Sequence, residues 1–461
     1  MQKSRMRQVG ALLVGLALVA ASCGDDKKDS TDTAAPTTVA DTTADTTADT
    51  TADTTAPAGG SELAGMKGTT PLLEVSQDFK DRLATTPTAT AAALTDYNYA
   101  AESYDAVVVI ALAAALAGTD GSAMADEIVG VTKDGEKCTT FADCAAIIEA
   151  GGDPDYDGQS GPISLNGNGE PLEASYGVLT FGEGNQIDDS LTTYITAAAP
   201  ESAAKPLTTT DVVREGDGVL NIGGLLPQTG NLAFLDPPEE AGVELAIAEI
   251  NEAGGVLGAD VTYSPGDSGD TTTDIASQTA DRLIAEGVDA IIGAASSSVT
   301  LTVIDKITAA GIVQYSPANT SLALVDYPDH SLYFRNAPPD DLQGNVIAQL
   351  VIDDGNSSAY LLVRNDAYGT SLSGVVEAAL TAGGVEVLGV KLYAEDAPSF
   401  DAEVDEIVAA DPDAIVLITF NEGSRILKTM VEKGIGPANK AVYGCDGNIG
   451  NALGDDFNAG K

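Results

Sequence analysis

Basic residues are scarce. In 461 residues, 22 lysines and arginines stand against 70 aspartates and glutamates, a formal charge of −48 at pH 7. That balance argues against nucleic acid or an anionic membrane as a partner held by charge. It reads as a heavily solvated surface. Histidine occurs once, as His330 in the exposed-looking "YPDHS", a poor base for a histidine-based nucleophilic triad, and a metal site is left short of its usual ligand. The stretch "GGLLPQTG" (223–230) lacks both the dinucleotide fingerprint and the P-loop Lys-Ser/Thr, and "GNG" (167–169) falls in a strand connection. Carboxylates are too abundant to single out a catalytic pair. No enzyme, metal or cofactor is indicated.

The four cysteines divide by position. Lys3, Arg5 and Arg7 precede an apolar run from Val9 to Ala20, short for a bilayer span and suited to a signal-peptide core. The run ends in "VAASC", a cysteine after small residues that resembles a bacterial lipobox. The resemblance implies removal of residues 1–22 and a lipid on Cys23; ordinary export with Cys23 incidental is the other reading. Residues 23–60 repeat Thr, Ala and Asp with almost no large apolar side chain, so they cannot bury a core and read as a disordered tether. In an exported chain, Cys138 and Cys144 of "CTTFADC" are expected to form a local disulfide. Cys445 then remains as a buried thiol.

From Val219 the chain alternates Val/Ile-rich runs with helical patterns. "VLNIGGLL", "ADVTYSPGDSGD", "VDAIIGAASSS" and "GIVQYSP" are separated by helices near 239–252, 274–286 and 299–310. A connecting piece, "SLYFRNAPPDDLQG", leads to "SAYLLVRND", "VEVLGVKLY", "DAIVLITF" and "AVYGCDG". This is the rhythm of parallel sheets covered on both faces. Two doubly wound α/β lobes are expected, 218–335 and 336–461, with strand C-termini facing a shared cleft. Residues 61–200 carry helices, one of them over "YNYAAESYDAVVVIALAAALAG", but too little sheet to pack them on. Residues 201–217 read as a linker.

Taken together, "LLPQTGNLAF", "AGVELAIAEINEAGGVLG", "DSGDT", "IIGAASSSVT", "YSPANTS", "YFRNAPPDDLQG", "NDAYG" and "YGCDGN" resemble the leucine/isoleucine/valine-binding class of type I periplasmic substrate-binding proteins of ABC importers. Residues 61–200 resemble the C-terminal third of the same family: "LAGMKGTTP" its third hinge strand, "ESYDAVVVIALAAALAG" the helix returning to the first lobe. The resemblance implies two lobes joined by a multi-strand hinge, in a circularly permuted chain order. On that reading 61–200 lies mostly in lobe 1 with its last strand in lobe 2, and the stretch from about Glu183 to Gly218 bridges the family's old termini. The rival is a pair of chains that complete each other as a domain-swapped dimer.

The resemblance also implies a site. Ser297, with Ser298 beside it, matches the family's carboxylate-binding serine, at a helix start where the dipole favours anions; a plain N-cap is the other reading. Ala318, through its backbone, and Thr320 match the next ligand contacts. Tyr368 matches a contacting tyrosine and Asp446 the acid that pairs with the ligand ammonium. Phe234 and Phe420 match apolar wall positions. The implied protein is an extracytoplasmic, lipid-anchored solute receptor that delivers an amino acid to ABC permease subunits. The alternative is a sensory, or an amide-, urea- or aromatic-acid-binding, protein of the same fold.

Overall fold

The computed structural model describes residues 60–199 and 207–459. The signal stretch, Cys23, the tether up to residue 59 and residues 201–206 of the expected linker lie outside the described residues.

The Val/Ile-rich runs after Val219 form a parallel sheet whose spatial order is Tyr333–Arg335, Val313–Ser316, Ala290–Gly293, Asn221–Leu225, Thr262–Ser264. Ala290, Ile291 and Ile292 are wholly buried, as expected for a strand covered on both faces. Cover comes from helices Asp236–Glu252, Ile275–Glu286 and Ser297–Ala309, and from Ala100–Ala117 of the earlier segment. Ala100–Ala117 crosses Asp236–Glu252 closely because Gly242 lies at the contact. A Cβ there would stand 2.3 Å from the Ala100 carbonyl oxygen. The long apolar helix therefore completes lobe 1, and Val107–Ile110 at its middle are fully buried.

The second lobe has a seven-stranded sheet ordered Glu386–Tyr393, Ser358–Arg364, Ala414–Ile418, Ala441–Gly444, Lys67–Pro71, Glu173–Thr180, Thr193–Ala198. The first five strands run parallel and the last two antiparallel. The earlier segment thus gives this sheet three strands, where one was expected. Thr193–Ala198, expected as part of a bridge, is instead an edge strand paired along Glu173–Val178. Its β-branched "TYIT" favours an extended edge over a coil. Lys67–Pro71 lies parallel beside Ala441–Gly444, with Lys67 opposite Tyr443. Around it the two ends of the described chain meet. Asn185 Nδ2 donates to Glu62 Oε2 (3.2 Å) and to Asn458 Oδ1 (2.8 Å), while Asn185 Oδ1 accepts from the Leu63 N–H.

Three crossings among the described residues join the lobes: after Pro71, before Glu173 and after Arg335; the chain also returns from Thr193–Ala198 to lobe 1 by way of residues 200–206, outside the described ones. The linker beyond residue 206 is built into lobe 1. Arg214 pairs with Asp289 at 2.6 Å, and the Asp120 carboxylate accepts the N–H groups of Asp217, Gly218 and Val219. Cys138 and Cys144 form the expected disulfide, with Cα atoms 5.4 Å apart. Cys445 is free and buried. His330, half-exposed, pairs with Asp211 at 2.7 Å.

Candidate functional site: the interlobe cleft

A small cavity between the lobes is lined by residues that sit at or just before helix starts. Tyr99 precedes Ala100–Ala117, Leu235 precedes Asp236–Glu252, and Ser297 opens Ser297–Ala309. Tyr368 is the second residue of Ala367–Ala382, and Phe420 lies just ahead of Gly423–Glu432. Strand-to-helix turns gather at the carboxyl ends of parallel strands, which is where open α/β sheets place ligands. Aligned helix starts also present unsatisfied N–H groups and a positive dipole end.

Asp446 is the charged group of this cavity. Its carboxylate is 4% exposed and is held by two hydroxyls: Tyr368 donates to Oδ1 and Tyr99 to Oδ2, each at 2.7 Å. Burial pushes the Asp446 carboxyl above the usual carboxylate range, against the pull of these hydrogen bonds and of the Gly447 N–H. Every group holding it is neutral. Both tyrosines are raised well above their ordinary value, first by burial and then by this same carboxylate. The Cys445 Sγ lies 2.9 Å from the Tyr368 hydroxyl, and burial raises that thiol as well.

Opposite stands the start of Ser297–Ala309. Its N-cap is Ser296, whose hydroxyl accepts from the Val299 N–H. Ser297 Oγ is therefore left to face the cleft, where it accepts from the N–H groups of Thr320 (3.3 Å) and Ser321 (3.2 Å). The loop carrying these donors is braced from behind by Arg335. Its guanidinium is wholly buried, donates to the carbonyls of Asn319 and Ser321, and pairs with Glu170 at 2.5 Å. The apolar wall comes from Leu232, Leu235, Ala295, Ala318 and Phe420. Phe420 is sandwiched, with Tyr368 stacked at 5.2 Å and the Arg364 guanidinium 4.0 Å from its ring centroid. Arg364 is fixed in turn by Asp366, Glu422 and Glu395.

Five of the residues singled out in the sequence line this cavity: Ser297, Ala318, Tyr368, Phe420 and Asp446. Three do not. Ser298 Oγ accepts from the Ala367 N–H at 2.9 Å and acts as a strut between lobes. Thr320 reaches Ser297 through its N–H, with its hydroxyl buried and unpartnered. Phe234 is partly buried against the same core. Its neighbours line the cavity instead, because Leu232 and Leu235 form one turn (Leu235 N–H to Leu232 O, 2.9 Å) and so share a face. Tyr99 and Ala295 carried no sequence signal that set them apart. Tyr99 stands in left-handed backbone (φ 61°) ahead of its helix, a conformation uncommon for a bulky residue and frequent at functional sites.

The lobes are shut. Besides the Ser298 strut, Ser321 Oγ donates to the Ala367 carbonyl, the Leu322 N–H to Ser371 Oγ, and the Asn421 N–H to the Asn231 carbonyl. The cavity measures about 20 Å³, room for about one water. A larger occupant requires the lobes to part. The carboxylate, the helix start and the apolar wall then suit a small molecule with a cationic end, an anionic end and an apolar body.

Residues 219–457, just over half of the chain, match the Periplasmic binding protein family. The chain belongs to that family. The family is made up of substrate-binding proteins. The chain is 29% identical over 211 residues to the chemotactic signal transduction system substrate-binding protein BasB of Halobacterium salinarum, covering 43% of this chain and 49% of that one. It is 26% identical over 232 residues to the Leu/Ile/Val-binding protein BraC3 of Rhizobium johnstonii, covering 50% and 61%. Among solved structures it is similar to the branched-chain amino acid transporter substrate binding protein LivJ from Streptococcus pneumoniae in complex with isoleucine. That likeness has a TM-score of 0.47 and 25% identity, over 52% of this chain and 68% of that one. This periplasmic binding protein thus spans about half to three-fifths of the length of the curated relatives it matches.

Proposed function

We propose that the protein captures an α-amino acid with an apolar side chain between its lobes and presents it to the permease of an ABC importer. The observation that carries this reading is Asp446, a buried carboxylate held only by neutral donors and facing the start of Ser297–Ala309. A buried charge without a counter-charge is costly, and a ligand ammonium relieves that cost. The ligand carboxylate takes over the N–H donors of Thr320 and Ser321 and the hydroxyl of Ser297. Its side chain lies against Leu232, Leu235 and Phe420. Closure follows by hinge rotation about the three crossings. Cys23 tethers the receptor to the outer face of the cell membrane, with residues 23–60 as a spacer.

The same reading includes a rotated chain order, in which Val219 is the family's first strand and Ser61 follows Lys461. Two contacts support it: Lys67–Pro71 beside Ala441–Gly444, and Glu62 with Asn458 on one amide. The name of the Halobacterium relative favours a second reading, in which the closed receptor signals to a chemotaxis system instead of feeding a permease.

The test is isothermal titration of the exported chain with leucine, isoleucine, valine, short amides and aromatic acids. Saturable binding of an apolar amino acid that weakens in Asp446→Asn is the expected result. Binding of amides or aromatic acids alone, or amino-acid binding indifferent to Asp446, would overturn the reading.

A further inference from the structure

A second cavity, of about 150 Å³, lies at the hinge and shares no lining residue with the interlobe site. Each of the three crossings gives it a proline: Pro71, Pro171 and Pro338. Lobe 1 contributes Glu102, from the first turn of Ala100–Ala117, and the edge strand Thr193–Ala198 contributes Thr196.

Glu102 is 6% exposed, and its carboxyl makes no hydrogen bond to another residue among the described ones. One turn further on, Asp105 is the contrast. Its carboxylate accepts from the Tyr156 hydroxyl, the Gln159 N–H, the Ser160 N–H and the Ser160 hydroxyl at 2.6–2.8 Å. Asp105 ties the wall together, whereas the Glu102 carboxyl is met only by its own backbone N–H. A second acceptor sits beside it. Asn336 donates its Nδ2 to the Glu102 carbonyl at 2.8 Å, and its Oδ1 is buried without a partner. No lining residue of the cavity is basic. An unsatisfied buried acceptor such as the Asn336 amide oxygen is costly. An ammonium group, with three donors and no acceptor, answers that pattern.

We propose that the hinge cavity is a second ligand site, which takes a small primary ammonium compound of about methylammonium or ethylammonium size against Glu102 and the Asn336 amide oxygen. The cavity wall is drawn from all three crossings, so its shape depends on the angle between the lobes. Occupancy and capture in the main cleft are therefore coupled, and each ligand changes the other's affinity by the same factor. The site stands whether or not the main cleft takes amino acids. Burial raises Glu102 to about 8, with Asp105 adding to the shift. Tyr99 and Glu239 feel its charge from their own elements, and Glu173 shares the cavity wall. Affinity for the ammonium therefore rises with pH from 7 towards 9 as Glu102 ionises.

The test is isothermal titration of the exported chain with methylammonium chloride, in wild type and in Asp446→Asn, where the cleft carboxylate no longer competes. Tetramethylammonium, which has the charge but no N–H, is the control. Saturable methylammonium binding in both chains is expected, weakened roughly tenfold or more by Glu102→Gln, with no response to tetramethylammonium. Thr196→Trp fills the cavity from an exposed edge strand and is expected to abolish binding; it keeps the test decisive if Glu102→Gln folds poorly. Equal binding of tetramethylammonium would mean condensation on the acidic surface and would overturn the proposal. So would no binding to a cooperatively melting wild type, or binding that survives both hinge variants. Amino-acid titration of the same samples reads the main cleft separately: a silent cleft with methylammonium still bound counts against the proposed function and leaves the hinge site standing.

Discussion

The hydroxyl of Tyr99 donates to Asp446 Oδ2 at 2.7 Å across 347 positions of sequence. The contact joins a helix start of lobe 1 to the loop that follows the last strand of lobe 2. It brings the earlier segment into the binding cleft itself. Tyr99 is thus a cleft residue in its own right, and it shares the Asp446 charge with Tyr368.

Tyr99 and Asp446 are expected to respond differently to truncation. Asp446→Asn removes the charge that an ammonium meets. Charged hydrogen bonds contribute about 1.5–3 kcal/mol, so affinity is expected to fall by roughly ten- to a hundred-fold. Tyr99→Phe removes one neutral donor from a carboxylate that keeps the other. A several-fold loss is expected, in line with about 0.5–1.5 kcal/mol. Calorimetric titration of both variants checks the order; a Tyr99→Phe loss as large as that of Asp446→Asn would contradict it.

Arg335 links stability to the site. Its buried pair with Glu170 lies behind the loop that carries Ala318 and Thr320. Removing one member leaves an unpaired buried charge, so Arg335→Ala is expected to cost about 3–5 kcal/mol. Adding Glu170→Gln to that variant should return a good part of the loss, because the orphaned carboxylate goes with it. Urea unfolding of the single and double variants measures the difference. Additive costs would mean that the two side chains act separately.

Stability is expected to fall as pH rises from about 4 to 8. Burial raises Asp236 and Asp329 to about 6, Asp340 and Glu240 to about 7, and Glu102 to about 8, against ordinary values of 3.8 and 4.5. Between the ordinary and raised values the native chain binds more protons than the unfolded chain, so the slope of unfolding free energy with pH is negative. The formal charge of −48 acts in the same direction through self-repulsion. Below about 4 the sign reverses, because Asp120, Asp401 and Asp413 are lowered by hydrogen bonds they accept. Urea midpoints are expected to be higher at pH 5 than at pH 8; a flat or rising profile would refute this.

The two α/β sheets could be read from residues. Buried parallel strands write themselves as Val/Ile runs, as in "AIIG" and "AIVLI", and the family resemblance pointed to Ser297, Tyr368 and Asp446, which the fold brings to one cavity. What escaped depended on tertiary pairing. "TYITAA" reads as a polar bridge until Glu173–Thr180 offers it an edge. Tyr99 looks like any aromatic before a helix until the fold carries Asp446 to it. The resemblance matched Phe234 to the apolar wall, whereas one turn of backbone aims Leu232 and Leu235 at the cavity and leaves Phe234 partly buried against the adjoining core. Phase within a single turn is set by what the turn packs on, which composition does not record.

The chain order is the most direct property to test. Glu62 and Asn458 accept from the same nitrogen of Asn185, and Lys67–Pro71 continues the sheet where Ala441–Gly444 stops. A chain that begins at Leu207, joins Lys461 to Ser61 and ends within 201–206 should then keep every one of these contacts, and those of Arg214, Asp217 and Gly218 within lobe 1. Loop-closure entropy changes only with the logarithm of loop length, so its unfolding free energy is expected to lie within about 1–2 kcal/mol of the original. Ligand affinity should be unchanged, because the cut removes no residue that lines the cleft. Both chains are expected to be monomers by sedimentation. Were the pieces to complete each other only between two molecules, the original chain would sediment as a dimer and the reordered chain as a monomer. Failure of the reordered chain to fold would refute the rotated order outright, since the physics of each strand pair is the same in both.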